Sequence, residues 1–156
     1  MVSGRYLGEL LSLALADVTG WPVPPATGAD LSSLIAGGDG DACLTRLLGE
    51  PPGEATQDGA KRLAVAIARR SAQLVAATFA GTLRHRAGRR PRNSSVNGYT
   101  SQHIAIEGSL YHYLPLLQEE LAETLAGLLE GEAVPDVIPV ENGSILGAAI
   151  AAAMSA

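Results

Sequence analysis

Residues 104–110 read Ile-Ala-Ile-Glu-Gly-Ser-Leu, and residues 138–145 read Ile-Pro-Val-Glu-Asn-Gly-Ser-Ile. Each is a short apolar run closed by an acid and a Gly-Ser turn, so Ile104 and Ile106 mark one buried strand and Val137, Ile138 and Val140 a second. A helix from about Pro115 to Leu129, apolar at Leu117, Leu121 and Leu125 and ended by Gly131, falls between them; another from Ile145 to about Met154 follows. Strand, turn, helix, strand, turn, helix is a parallel βαβα order, which predicts an α/β protein with two short parallel strands in mostly helical surroundings. Both turns then lie at the carboxyl ends of adjacent strands, where open α/β sheets bind ligands. Glycine there lets backbone approach a ligand, and the amides that open each helix favour phosphate, which makes Gly108, Ser109, Gly143 and Ser144 candidate site residues. A Gly-Ser turn also serves as a plain connection; its repetition in one sheet favours a site. For Glu107 and Glu141 the reading preferred over catalysis is a solvated carboxylate or a cap on helix amides.

Upstream the spacing is helical. Leu7, Leu10, Leu11, Ala14, Leu15 and Val18 recur at three- and four-residue steps, giving a helix over 4–18 with Ser3 as its cap, stopped by Thr19-Gly20 and the prolines that follow. Thr27 and Asp30 have the form of a capping box for a short helix carrying Leu31, Leu34 and Ile35, ended by Gly37-Gly38. From Gly37 to Gly59 the composition reads as surface apart from a turn of helix around Leu44–Leu48. Leu63, Ile67, Leu74 and Phe79, with alanines between them, predict one long helix from Ala60 to Leu83. Residues 84–100 then read as a loop, with five arginines between 84 and 92.

The chain has 156 residues, with 11 Lys and Arg against 16 Asp and Glu, a formal charge of −5. One domain is the natural reading, and the acidic balance argues against a nucleic-acid-coating surface. The arginine cluster has no aromatic residue within it for base stacking, and Tyr99 is well outside. Cys43, the single cysteine, forms no internal disulfide, which together with the absence of a signal peptide points to a reducing, cytoplasmic compartment. Ser71–Leu83, the longest uncharged helical run, falls short of the roughly 20 apolar residues that cross a bilayer, so no membrane span is expected. His85, His103 and His112 have no metal-ligand spacing with Cys43 or one another.

Four stretches in order, Ser-Gly-Arg-Tyr-Leu-Gly-Glu-Leu at 3–10, Ala-Ile-Ala-Arg-Arg-Ser-Ala at 66–72, Ile-Ala-Ile-Glu-Gly-Ser-Leu-Tyr at 104–111 and Asn-Gly-Ser-Ile-Leu-Gly-Ala-Ala-Ile at 142–150, resemble the hexokinase family, eukaryotic-type glucokinases included. The resemblance spans nearly the whole chain. It implies part of an actin-like, ribonuclease-H-like ATPase lobe: the carboxyl-terminal part of the large domain, with the amino-terminal half of the enzyme missing from residues 1–156. It further implies ATP-dependent phosphorylation of a hexose such as glucose at its 6-hydroxyl, with Mg2+ carried on the nucleotide, at the start of glycolysis.

On that resemblance the chain carries the ATP side of the cleft. Gly4 and Arg5 would approach the phosphates, Ser33 would lie in a second nucleotide-contacting segment, and Gly108 and Ser109 with Leu110–Tyr113 would cradle the adenosine. His112 stands where relatives often have lysine, and a neutral imidazole supplies less charge to a phosphate. Gly143 and Ser144 keep the second turn, but Ile145 replaces a glycine and Leu146 removes a cation, so weakened nucleotide affinity is expected. The general base and the hexose ligands of the family precede this sequence, so the 156 residues alone are expected to be inactive. The alternative is a non-catalytic relative that acts by binding a partner, through residues 84–92 for instance. Unpaired sheet edges and exposed apolar surface would favour self-association.

Overall fold

The computed structural model describes residues 3–88, 103–130, 132 and 134–154. The first helix, α1 (Gly4–Thr19), is capped by the Ser3 hydroxyl, which accepts from the Tyr6 amide, and is closed by Gly20 at φ 73°. It buries Leu7, Gly8, Leu11, Ser12 and Leu15. Leu10 and Val18, expected on that face, are exposed. The face is turned because Gly8 and Ser12 meet backbone rather than side chains. A Cβ on Gly8 would stand 2.2 Å from the Ala26 carbonyl oxygen. The Ser12 hydroxyl accepts from the Ala26 amide at 2.6 Å and donates to the Pro24 carbonyl at 3.0 Å.

Helix α2 (Gly28–Ala36) opens with the expected capping box of Thr27 and Asp30 and ends at Gly37, φ 79°. Residues 40–48, read as mostly surface, form α3 (Gly40–Leu48), which buries Cys43, Leu44 and Leu47. Its glycine- and aspartate-rich start hides a helix that tertiary contact fixes. Asp30 of α2 pairs with Arg46 of α3 at 2.7 Å, and the Cys43 thiol donates to the same carboxylate at 3.3 Å. Burial would raise the Asp30 carboxyl, but hydrogen bonds from Arg46 and Thr27 outweigh it and hold the group below the usual carboxylate range. Burial, then the neighbouring carboxylate, pushes the Cys43 thiol up to about 11.

The long helix α4 (Glu54–Gly88) starts six residues before the expected Ala60 and continues through Arg84 and Arg86. The remaining arginines of the cluster, Arg89, Arg90 and Arg92, and the loop reading from 89 to 100 fall outside the described residues. Its core face is made of alanines at every fourth position, Ala60, Ala64, Ala68, Ala72, Ala76 and Ala80, with Ile67 and Ser71 beside them. Four residues turn the helix by about 400°, so this ridge drifts about 40° per step and winds around the helix axis. One helix can thereby meet α1, α2 and α6 on different sides. Leu74, expected in the core, is half exposed, and Leu63 and Phe79 only flank the ridge. Alanine at the contact brings helix backbones closer than leucine would. By length and composition Glu54–Arg86, with its flanking charges included, is apolar enough to cross a membrane. Its alanine ridge is nonetheless buried against the other helices, as in a core helix.

Strand β1 (His103–Ile106) pairs in parallel with β2 (Asp136–Pro139), His103 opposite Asp136 and Ile106 opposite Pro139. Between them run α5 (Ser109–Tyr113), too short to show a period in the sequence, and α6 (Leu117–Leu128), which buries Leu117, Leu121 and Leu125 as expected. Gly131, read as its stop, lies outside the described residues. Arg69 pairs with Glu120, and Arg84 donates to the Leu128 carbonyl and pairs with Glu132, so α4 and α6 run side by side in the same direction. The strands are less buried than their apolar runs suggest. Ile104, Ile106 and Val137 are half-buried and Ile138 is exposed, because only one face of the two-stranded sheet is packed. The last helix, α7 (Gly143–Met154), buries none of its residues, and Ile145, Leu146, Ile150 and Met154 stand exposed on it.

The glycine contacts make a paired prediction. Gly8→Ala, whose methyl meets the Ala26 carbonyl, destabilises the fold by about 3 kcal/mol or more. Gly81→Ala, with nothing within 4 Å of its Cβ, stabilises α4 by about 0.5–1 kcal/mol. Urea unfolding of both variants beside the parent chain reads the two signs.

Candidate functional site

The parallel register carries the chain to one end of the sheet twice, and pairing continues one step past β2, where the Val140 amide donates to the Ile106 carbonyl at 2.9 Å. The two Gly-Ser corners are therefore neighbours at the carboxyl ends of the strands, as the sequence predicts. Gly108 has φ 136° and ψ 142°, a conformation essentially restricted to glycine, and it turns β1 into α5. Nothing lies within 4 Å of its Cβ position, so the requirement is conformational and not steric.

The second corner is filled by a side chain of the first. Oε2 of Glu107 accepts from the Ser144 amide at 2.7 Å and from the Ser144 hydroxyl, and a Cβ on Gly143 would stand 3.5 Å from the same oxygen. Hydrogen bonds from the Ser144 hydroxyl and amide, and from the Gly143 amide, hold the exposed Glu107 carboxyl below the usual carboxylate range. This is the helix-capping role expected for one of the two acids; Glu141 is exposed.

Facing the first corner, the amino-terminal ends of α1 and α2 meet at Gly4 and Gly28, where a Cβ on Gly28 would lie 3.1 Å from the Gly4 Cα. This contact opens a cleft of about 550 Å3 lined by Gly4, Ser32, Ser33, Ser109, Leu110 and Tyr113 among others. Of the residues singled out in the sequence, it gathers Gly4, Ser33 and Ser109. Arg5 points elsewhere and pairs with Glu9 at 3.2 Å on the surface of α1. His112 is exposed between the rings of Tyr111 and Tyr113 and does not line the cleft. Gly143 and Ser144 sit at the neighbouring corner, engaged with Glu107. Sequence reading missed Gly28 and Ser32. The Ser32 hydroxyl donates to the Tyr113 carbonyl at 3.1 Å, tying α2 to α5 across 81 residues of sequence, and no local pattern announces such a pair.

A larger apolar cavity of about 860 Å3, between the ends of α1 and α3 and the start of α4 near Trp21, shares no lining residue with this cleft. Among the described residues no group of three or more His, Cys, Asp or Glu could hold a metal ion.

Two parallel strands with glycine corners at one end, helices around them and a cleft near the first corner make an α/β arrangement, consistent with the actin-like ATPase lobe of the family whose model matches the chain. The family model described as hexokinase matches residues 39–154, and the chain belongs to the hexokinase family. It is 30% identical to a hexokinase of Schwanniomyces occidentalis over 177 aligned positions, covering 99% of this chain and 34% of the relative. It is 29% identical to hexokinase-2 of Candida albicans and 30% identical to hexokinase-1 of Saccharomyces cerevisiae, each with the same coverage. The chain thus spans about a third of the length of the relatives it matches.

The Glu107 contact sets a pH dependence with a definite sign. A carboxyl whose folded pKa is depressed contributes stability above its unfolded pKa, about 4.3, and loses that contribution as pH falls through the folded value. Ser144→Ala removes the leading cause. Carboxyl-carbon NMR titration is expected to show Glu107 titrating at higher pH in Ser144→Ala than in the parent chain, and the acid-side loss of stability below about pH 4.3 is expected to shrink.

Proposed function

We propose that the chain supplies the ATP-binding side of a hexokinase, being the carboxyl-terminal part of the large domain of a longer enzyme. In the complete enzyme the reaction is transfer of the γ-phosphoryl group to the 6-hydroxyl of a hexose such as glucose, the opening reaction of glycolysis in the cytoplasm. The observation that carries this reading is the meeting of Gly4, Ser33 and Ser109 in one cleft beside the paired Gly-Ser corners.

The cleft suits a nucleotide. Its volume of about 550 Å3 lies within the roughly 300–1,000 Å3 of small-molecule sites. Ser33 and Ser109 offer hydroxyls, and Leu110, Tyr113 and Leu114 offer apolar surface to a base. ATP with its Mg2+ supplies the transferable phosphoryl group and charge neutralisation. In this reading the metal arrives on the nucleotide.

Phosphoryl transfer is mostly positioning and charge stabilisation, so donor and acceptor must be held on both sides of one gap. In this reading Gly4 and Gly28 let backbone come close to the ligand, Ser33 and Ser109 orient it, and the hydrogen bond from Ser32 to the Tyr113 carbonyl keeps α5 against α2. The acceptor side, with its general base, is contributed by the remainder of the enzyme. Arg5 and His112, drawn away from the cleft, give it little cationic help, which favours modest affinity and keeps a non-catalytic, partner-binding paralogue as the second reading.

Calorimetric titration of MgATP into the chain tests the proposal. Saturable binding with Kd near 1 mM, the weak end of typical substrate affinities, is expected, and Ser33→Trp, which fills the cleft, is expected to weaken it about tenfold or more. A coupled assay with glucose and MgATP is expected to show no turnover; robust turnover would overturn the division of labour described above.

A further inference from the structure

The first corner is held on either side, by the Val140 amide on the Ile106 carbonyl and by Ser32 on the Tyr113 carbonyl, and its direction turns on Gly108. Gly108 adopts a backbone conformation open only to glycine, with no atom within 4 Å of its Cβ position. Helix α5 beyond it is five residues long and buries none of them. At the second corner α7 likewise buries no residue. Between the two runs a side-chain link: Glu107, the residue before Gly108, accepts from both the amide and the hydroxyl of Ser144. A charge-assisted contact of this kind is shorter and about twice as strong as a neutral one, and two donors converging on one oxygen fix the carboxylate in direction as well as distance.

We infer that Glu107 is a positioning residue of the nucleotide cleft: by clasping Ser144 it fixes the spacing of the two corners and aims Ser109 at the cleft, while itself touching no nucleotide. This rests on the nucleotide reading given above and adds a role to it. Ser109 is the element through which the clasp acts, because it lines the cleft and lies two residues from Glu107. It also gives Ser144 a different task from the one its motif implies. Its amide and hydroxyl are committed to a carboxylate of this chain, so its contribution to ligand affinity runs through Glu107.

The test is a double-mutant cycle read in MgATP affinity. Glu107→Ala and Ser144→Ala are each expected to weaken binding by about tenfold, the double variant to be no weaker than Glu107→Ala alone, and Glu107→Gln, which keeps an acceptor, to recover part of the loss. Both residues are exposed, so the thermal midpoint is expected to move little; a loss of affinity at nearly constant stability distinguishes positioning from general loosening. Parent-like affinity in Glu107→Ala, or losses that add in the double variant, would overturn the inference. Should Glu107→Ala fail to fold, Ser144→Ala beside Glu107→Gln reads the same coupling. If the parent chain binds no MgATP, the nucleotide reading fails by itself. The clasp is then judged by the amide NMR shifts of Gly108 and Ser109 in Ser144→Ala, where displaced signals support it and unmoved signals overturn it.

Discussion

Parallel pairing of β1 with β2 obliges the chain between them to cross back along the sheet, and that crossover has to be held against something. Here α6 lies along the alanine ridge of α4, with the Arg69–Glu120 pair at one end and Arg84 on the Leu128 carbonyl at the other. The rest depends on this contact. Without α4 as a floor, α6 has no place to bury Leu117, Leu121 and Leu125, the second strand is not returned beside the first, and the corners do not meet. The exposed ion pairs add little to its strength; burial of the leucines and close approach over alanine supply most of it.

The same economy of side-chain volume recurs where α1 meets α2. Gly8 against the Ala26 carbonyl, and Gly4 against Gly28, press α1 onto the backbone that leads into α2. Ser12 satisfies the Ala26 amide that this contact buries. The cleft lies where these two helix starts touch at glycine, beside Ser33 and Ser109. The Glu107–Ser144 clasp shows that one of the two glycine corners is engaged with the protein itself.

Much of this architecture was legible in the residues. The βαβα order, the capping box at Thr27 and Asp30, the glycine stops of α1 and α2 and the adjacency of the corners all follow from local periodicity and capping chemistry, which act within a few residues of one another. The misreadings share a cause. Helix α3, the first turns of α4 and the exposure of Leu10, Leu74 and Ile138 depend on which neighbour each face meets, and a period cannot name a neighbour.

For the site the division is the same. The sequence by itself determined which residues could serve a phosphate-binding corner, because the left-handed and extended glycine conformations and the strand-to-helix switch are encoded within seven or eight residues. Only the tertiary structure decided which of them face a common space. It brought Gly4, Ser33 and Ser109 together from three separate elements, turned Arg5 onto Glu9, left His112 outside and set Glu107 on Ser144 across 37 residues. Hydrogen bonds and steric approach over such separations arise from packing, which no local spacing records.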